Sequence, residues 1–281
     1  MTADPLPSWF RAGYRGLRLP CHFGEWLQGR LGREGPVALV TLMPRLWGMH
    51  AQMRRGPLTT CRFGGGSGRL PLPLMRRFLQ DLDLPATGRF HLRPSFVPGS
   101  GTGMSTASLL AVAALAGYRG TVLRLARACV AAEGASDPLM FRGPDRLLWA
   151  SREARLLSVM PPPPQAHLLA GFWGPPEPTR AADNGYADIA DLVRAWARAP
   201  DLAGCAALAS ESAARCQALR GPQDDPTAQL ARDLGALGWA RSHSGPARAL
   251  IFTPGQAPPA GLQALRAAGL RDVRVMSTGN R

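Results

Sequence analysis

The stretch Pro98-Gly99-Ser100-Gly101-Thr102-Gly103-Met104-Ser105-Thr106-Ala107 carries the strongest chemical signal in the chain. Three glycines within five residues let a backbone turn tightly and approach a ligand closely. The loop feeds straight into Ser105 to Tyr118, which is rich in Ala and Leu and reads as a buried helix. The unpaired N–H groups of a first helical turn, and the positive end of its dipole, would face whatever the loop holds. Such a place suits phosphate. The hydroxyls of Ser100, Thr102, Ser105 and Thr106 add donors or a metal ligand. A plainer reading also stands, in which Ser105 only caps the helix. A Walker loop is excluded, because it needs lysine and all 33 basic residues here are arginine.

Two carboxylates follow in Ala132-Glu133-Gly134-Ala135-Ser136-Asp137-Pro138-Leu139-Met140-Phe141, where charge is otherwise scarce. Glu133 lies at the C-terminal end of the helix expected over Val122 to Glu133, where the dipole disfavours an acid. Phosphoryl transfer needs a metal to neutralise phosphate and a carboxylate to orient or deprotonate the acceptor. Glu133 and Asp137 can fill those two roles, or Asp137 can cap a turn while Glu133 pairs with an arginine. Glu25 and Gln28 fall in the turn-rich segment Cys21 to Gly35 and are expected on a loop between strands, a common place for substrate contacts. The Glu25 carboxylate could hold an ammonium group. His243 and Ser244 could donate to a substrate carboxylate or phosphate. No Gly-x-Ser-x-Gly occurs, which leaves no nucleophilic-serine elbow.

The loop resembles the phosphate loop of the GHMP kinases, the family of galactokinase, homoserine kinase and mevalonate kinase. Their pattern is Pro, three residues, then Gly-Leu-Gly-Ser-Ser-Ala. Counted from Pro98, residues Ser105, Thr106 and Ala107 fall on Ser-Ser-Ala, and Thr102-Gly103-Met104 stands where Gly-Leu-Gly would. Pro20-Cys21-His22-Phe23-Gly24-Glu25-Trp26-Leu27-Gln28-Gly29 resembles the Pro-x-x-Cys-Gly-Glu-x-x-Gln-Gly opening of the L-threonine kinase branch, which serves cobalamin synthesis and propanediol utilisation. Thr41-Leu42-Met43-Pro44 resembles the Thr-Leu-Pro of that branch. Ala240-Arg241-Ser242-His243-Ser244-Gly245 resembles its Ala-His-Ser-Gly segment, with Pro246 in place of Thr.

The resemblance implies an α+β chain of two domains. A ribosomal S5 domain 2-like unit would cover residues 1–160 and a ferredoxin-like unit residues 165–281, with the site in the cleft between them. It implies ATP over Pro98, Gly99, Ser100, Gly101, Thr102, Gly103, Met104, Ser105 and Thr106, and Mg²⁺ at Ser105 and Glu133. Asp137 would act on the acceptor hydroxyl, most simply that of L-threonine, with Glu25, Gln28, His243 and Ser244 around the substrate. Arginines would take the part that lysine has elsewhere. A non-catalytic nucleotide-binding module of the same fold is the alternative.

The elements that must position these groups follow from pattern and punctuation. Strands are expected over Tyr14 to Leu19, Val37 to Leu42, Leu46 to Arg54, Arg89 to Arg93, His167 to Phe172, Arg248 to Phe252 and Asp272 to Val275. Helices are expected over Pro73 to Leu82, Ile189 to Ala199, Ala203 to Leu219, Pro226 to Leu237 and Leu262 to Ala268. The run Pro161 to Pro164 reads as the domain boundary and Gly64 to Gly68 as a flexible loop. Mixed α/β or α+β layers result.

Composition bounds the rest. The chain has 281 residues, a net charge of +14 and 46% hydrophobic residues, enough for a core. Residues 1–160 hold 21 arginines against 9 carboxylates, and residues 161–281 hold 12 against 10. Such a field attracts anions, yet no RNP motif, basic run or zinc finger supports a nucleic-acid partner. The five cysteines show no metal spacing and read as free thiols of a reducing, cytoplasmic setting. The longest apolar run, Leu109 to Ala116, falls far short of the roughly 20 residues of a membrane helix.

Overall fold

The computed structural model describes residues 7, 16–62, 70–177, 183, 185–198 and 200–279. The strands are β1 (Gly16–Pro20), β2 (Glu25–Arg30), β3 (Val37–Thr41), β4 (Trp47–Pro57), β5 (Thr59–Arg62), β6 (Thr87–Pro94), β7 (Leu147–Ala150), β8 (Arg155–Val159), β9 (His167–Phe172), β10 (Gly238–Arg241), β11 (Ala247–Phe252) and β12 (Arg271–Ser277). The helices are α1 (Leu72–Asp81), α2 (Met104–Leu115), α3 (Val122–Glu133), α4 (Ala190–Trp196), α5 (Leu202–Arg220), α6 (Thr227–Asp233) and α7 (Gly261–Ala267). The Gly64 to Gly68 loop expected from the sequence lies outside the described residues.

One sheet has the order β1-β4-β6-β5, with β5 parallel to β6 and the other pairs antiparallel. Its strands alternate over most of their length. Leu19, Met49, Ala51, Phe90 and Leu92 turn inward, while Arg18, His50, Gln52, Arg54, Arg89 and Arg93 turn out. The inner face packs on α2, a helix apolar all round and therefore buried all round. Only Ser105 of α2 escapes burial.

The second sheet runs β12-β9-β11-β10-β2-β3-β7-β8 and is antiparallel throughout. Strands from both sides of the proline run share it, joined where Arg241 of β10 pairs with Glu25 of β2. The sequence reading of Glu25 and Gln28 as loop residues is corrected here, because both lie on β2. That strand has its first five residues buried, with α5 across it, and a strand covered on both faces loses the alternation that reveals an edge. For the same reason β7 and β10, each fully buried, were not expected from the sequence.

Helix α3 is bounded as its residues dictate. The Thr121 hydroxyl accepts from the Arg124 N–H at 3.2 Å, and Gly134 closes the helix in the left-handed region at φ 78°. Cys21, Cys129, Cys205 and Cys216 are buried free thiols. Among the described residues no helix is long and apolar enough to cross a membrane.

Leu110 sits at 0% exposure in the centre of α2. Leu110→Ala should therefore cost about 2–5 kcal/mol of unfolding free energy in a denaturant titration. A change within a few tenths of a kcal/mol would contradict the packing described.

Candidate active site

The loop before α2 is locked by the backbones around it. Gly99, Gly101 and Gly103 all take left-handed φ values of 84°, 77° and 71°. At Gly101 any Cβ would clash with Ser242, and at Gly103 it would sit 2.6 Å from the His22 ring. The Gly24 N–H donates to the Gly101 carbonyl at 3.1 Å, the Ala247 N–H to Ser100 at 3.1 Å and the Glu177 N–H to Gly99 at 2.9 Å. Chain from both sides of the proline run thus grips the loop.

Gly103 occupies the position before α2, and no side chain caps the helix. The reading of Ser105 as a cap is therefore not met. Its hydroxyl instead donates to the Glu133 carboxylate at the far end of α3. Gly99, Gly101, Thr102, Gly103, Met104 and Ser105 line one cleft, together with Asp137. Pro98, Ser100 and Thr106 are not among its lining residues. Ser100 and Thr102 join hydroxyls at 2.8 Å, and Thr106 Oγ1 accepts the Asp137 N–H at 3.1 Å. Of the four hydroxyls the sequence singled out, the one on Ser105 alone belongs to an exposed residue.

Asp137 is held from two sides. Thr106 fixes its amide from α2, and the preceding residue is tied to β7 through Trp149 Nε1 donating to the Ser136 carbonyl at 2.7 Å. Asp137 Oδ2 lies 3.3 Å from His22 Nε2, and His22 Nδ1 lies 3.4 Å from Glu25 Oε1. Burial opposes a charged imidazole, but the two flanking carboxylates outweigh it and push His22 up to about 9. Burial also raises Glu25, against the pull of His22 and with a further push from Asp137, to about 8. His22 was quoted in the sequence only as part of a motif. Its signal was a histidine three residues before a glutamate in an otherwise apolar stretch.

Glu25 and Gln28 also line the cleft, as do His243 and Ser244. Glu25 Oε2 and Gln28 Oε1 are buried without a hydrogen-bond partner, while Gln28 Nε2 donates to the Arg241 carbonyl at 2.7 Å. The His243 ring stacks on Tyr186 at 3.8 Å, and its Nε2 accepts from Arg220. Burial and Arg220 hold His243 down at about 3, so it is neutral. With Nε2 accepting, the donor expected of His243 is left to Nδ1, which lies 3.9 Å from Cys216 Sγ. Tyr186, Asp183 and Arg220 were not found from the sequence, since nothing local links positions so far apart. No arginine is among the described residues lining the cleft, and the charged imidazole of His22 is a cation there.

Both His22 and Glu25 bind protons more tightly folded than unfolded, from ordinary values of 6.5 and 4.5 to about 9 and about 8. Stability must then fall as pH rises. The His22 contribution is whole below 6.5 and is lost as pH rises through about 9. The Glu25 penalty grows from 4.5 to about 8. Denaturation midpoints should decline from pH 6.5 to about 9, above the range where the lowered His243 adds stability with rising pH, and Glu25→Gln should flatten the part up to about 8. A midpoint that climbs with pH would contradict the pairing.

No family model matches the chain, and no curated protein matches it in sequence. Solved structures do. A phosphotransferase related to the CoA biosynthesis pathway is 14% identical with a TM-score of 0.64, covering 95% of this chain and 96% of that one. Mevalonate kinase of L. major, in complex with R-mevalonate, is 12% identical at TM-score 0.58, covering 99% and 98%. Homoserine kinase of Cytophaga hutchinsonii is 15% identical at TM-score 0.57, covering 97% of each chain. Over nearly its whole length the chain has the mixed α+β fold of the GHMP kinases.

Proposed function

We propose that this protein is an ATP-dependent kinase that phosphorylates a small-molecule alcohol, with L-threonine as acceptor and O-phospho-L-threonine as product. The observation that carries the reading is convergence. An uncapped helix N-terminus behind a left-handed glycine loop meets an imidazole-bound Asp137 in one cleft, and Ser105 on its lining donates to Glu133, which is not itself a lining residue. In this reading residues 1–160 form the nucleotide domain and residues 165–281 the second domain.

The residues present fit both absent groups. Amides of the first turn of α2 and of the loop suit a triphosphate, and a serine hydroxyl beside a carboxylate suits a hard cation. Bound there, ATP would supply the phosphoryl group and Mg²⁺ would screen its charge. Ser105 and Glu133 hold the cation. Asp137 orients the acceptor hydroxyl and takes its proton, and its amide bond to Thr106 keeps it in register with α2. His22 Nε2, 3.3 Å from Asp137 Oδ2, fixes the carboxylate.

The choice of acceptor rests on the resemblance of residues 20–29, 41–44 and 240–245 to the L-threonine kinase branch. Glu25 supports it physically. Its buried Oε2 has no hydrogen-bond partner, and a substrate ammonium group would provide one. Gln28 offers an acceptor beside it.

ADP release from ATP and Mg²⁺ should depend on L-threonine. Asp137→Ala should lower kcat by about 10²-fold or more with nucleotide affinity retained. Glu133→Gln should raise the Mg²⁺ requirement. Unchanged turnover in the Asp137 variant would reject its role. Nucleotide binding without ADP release, across a panel of hydroxyl amino acids, mevalonate and sugars, would favour the non-catalytic module.

A further inference from the structure

The outer face of the four-stranded sheet takes no part in the cleft. Strand pairing sets Arg18 opposite His50, His50 opposite Arg93, Gln52 opposite His91 and Arg54 opposite Arg89. All are exposed except His91, which is half-buried. Strands β1, β4, β5 and β6 contain no Asp or Glu. Like charges directly opposite one another destabilise a sheet. Arg54 against Arg89, and Arg18 with Arg93 about His50, impose that cost with no carboxylate of the sheet to offset it. After burial, Arg18 and Arg93 are what hold His50 below its ordinary value.

Some arginines elsewhere in the protein are paired with carboxylates. Arg215 sits between Asp191 and Glu211, Arg248 is buried against Asp225 and Arg220 meets Asp183. Among the described residues Arg18, Arg54 and Arg89 have no carboxylate at ion-pair distance.

We propose that this sheet face binds single-stranded nucleic acid through its phosphate backbone. Guanidinium forks match phosphate in two-point hydrogen bonds, and the flat ring of the exposed His50 can stack on bases. The large exposed apolar side chains Leu72, Val97, Leu123, Val159, Leu219, Leu237 and Val275 all belong to other parts of the chain. Among the described residues, the face therefore presents neither the apolar centre of a protein interface nor the apolar wedge of a membrane-bound surface. The arginines lie between positions 18 and 93, so no basic run marks them in sequence. Only the strand register assembles them, which is why the sequence spoke against such a partner.

The test is fluorescence anisotropy with a labelled oligouridylate of about 20 nucleotides, on the full chain, at about 50 mM salt. The sheet variant R18Q/R54Q/R89Q/R93Q should bind at least tenfold more weakly than the parent. A control of equal net charge, R194Q/R198Q/R232Q/R266Q, should stay within about twofold of it. For four phosphate contacts, log Kd of the parent should rise against log salt with a slope of about 3. The sheet variant relieves repulsion, so its melting temperature should match or exceed the parent's, and R54Q/R89Q alone should show a smaller loss of binding. No binding by the parent, equal weakening in the control, or displacement of RNA by polyglutamate at equal charge would each overturn the proposal. Since none of these sheet residues lines the cleft, its failure would leave the kinase reading untouched.

Discussion

At Gly101 three stretches of backbone come too close for a side chain to fit between them. The loop carbonyl takes a hydrogen bond from Gly24, and Ser242 lies where a Cβ would go. Replacing Gly101 would push apart the turn after β1 and the turn after β10, and these same turns carry His22, His243 and Ser244. The loop's left-handed path is thus the joint through which the two sides of the cleft are held in register. Everything proposed for the site depends on that close approach, because it sets the open end of α2 against Asp137 and Glu25.

A second constraint is electrostatic. Burying a carboxylate without a partner is costly, and here Glu25 and Asp137 stand on either side of one imidazole. Three groups with unequal demands share few protons among them. Burial alone would discharge both Glu25 and His22, and mutual attraction keeps the imidazole charged. Such a cluster serves stability poorly and acid–base chemistry well, and perturbed groups of this kind gather at functional sites. In a chain without lysine, histidine is the cation that the cleft has to offer.

Legibility followed locality. The bounds of α3 were readable because a threonine cap, a helical period and a terminal glycine stand together in sequence. Strand β9 was readable for its apolar run. The glycine loop before α2 was visible because glycines and hydroxyls announce it within ten residues. Where the answer lies in long-range pairing, the sequence was mute. Strand β2 looked like a loop because its polar residues face a cleft that exists only once β10 and α5 have covered it. His22 looked incidental because its partner Asp137 is brought to it by α2 and β7. The basic sheet face was hidden by the same cause, as its arginines meet only across strands.

The central claim is that the open N-terminus of α2 and the glycine loop before it form a cradle for a triphosphate. A crystal structure with a nonhydrolysable ATP analogue and Mg²⁺ tests this most directly. The account predicts phosphate oxygens at the amides between Gly99 and Ser105, with the cation reached by Ser105 and Glu133. A nucleotide bound elsewhere, or a cradle left empty while the analogue saturates the protein, would contradict it.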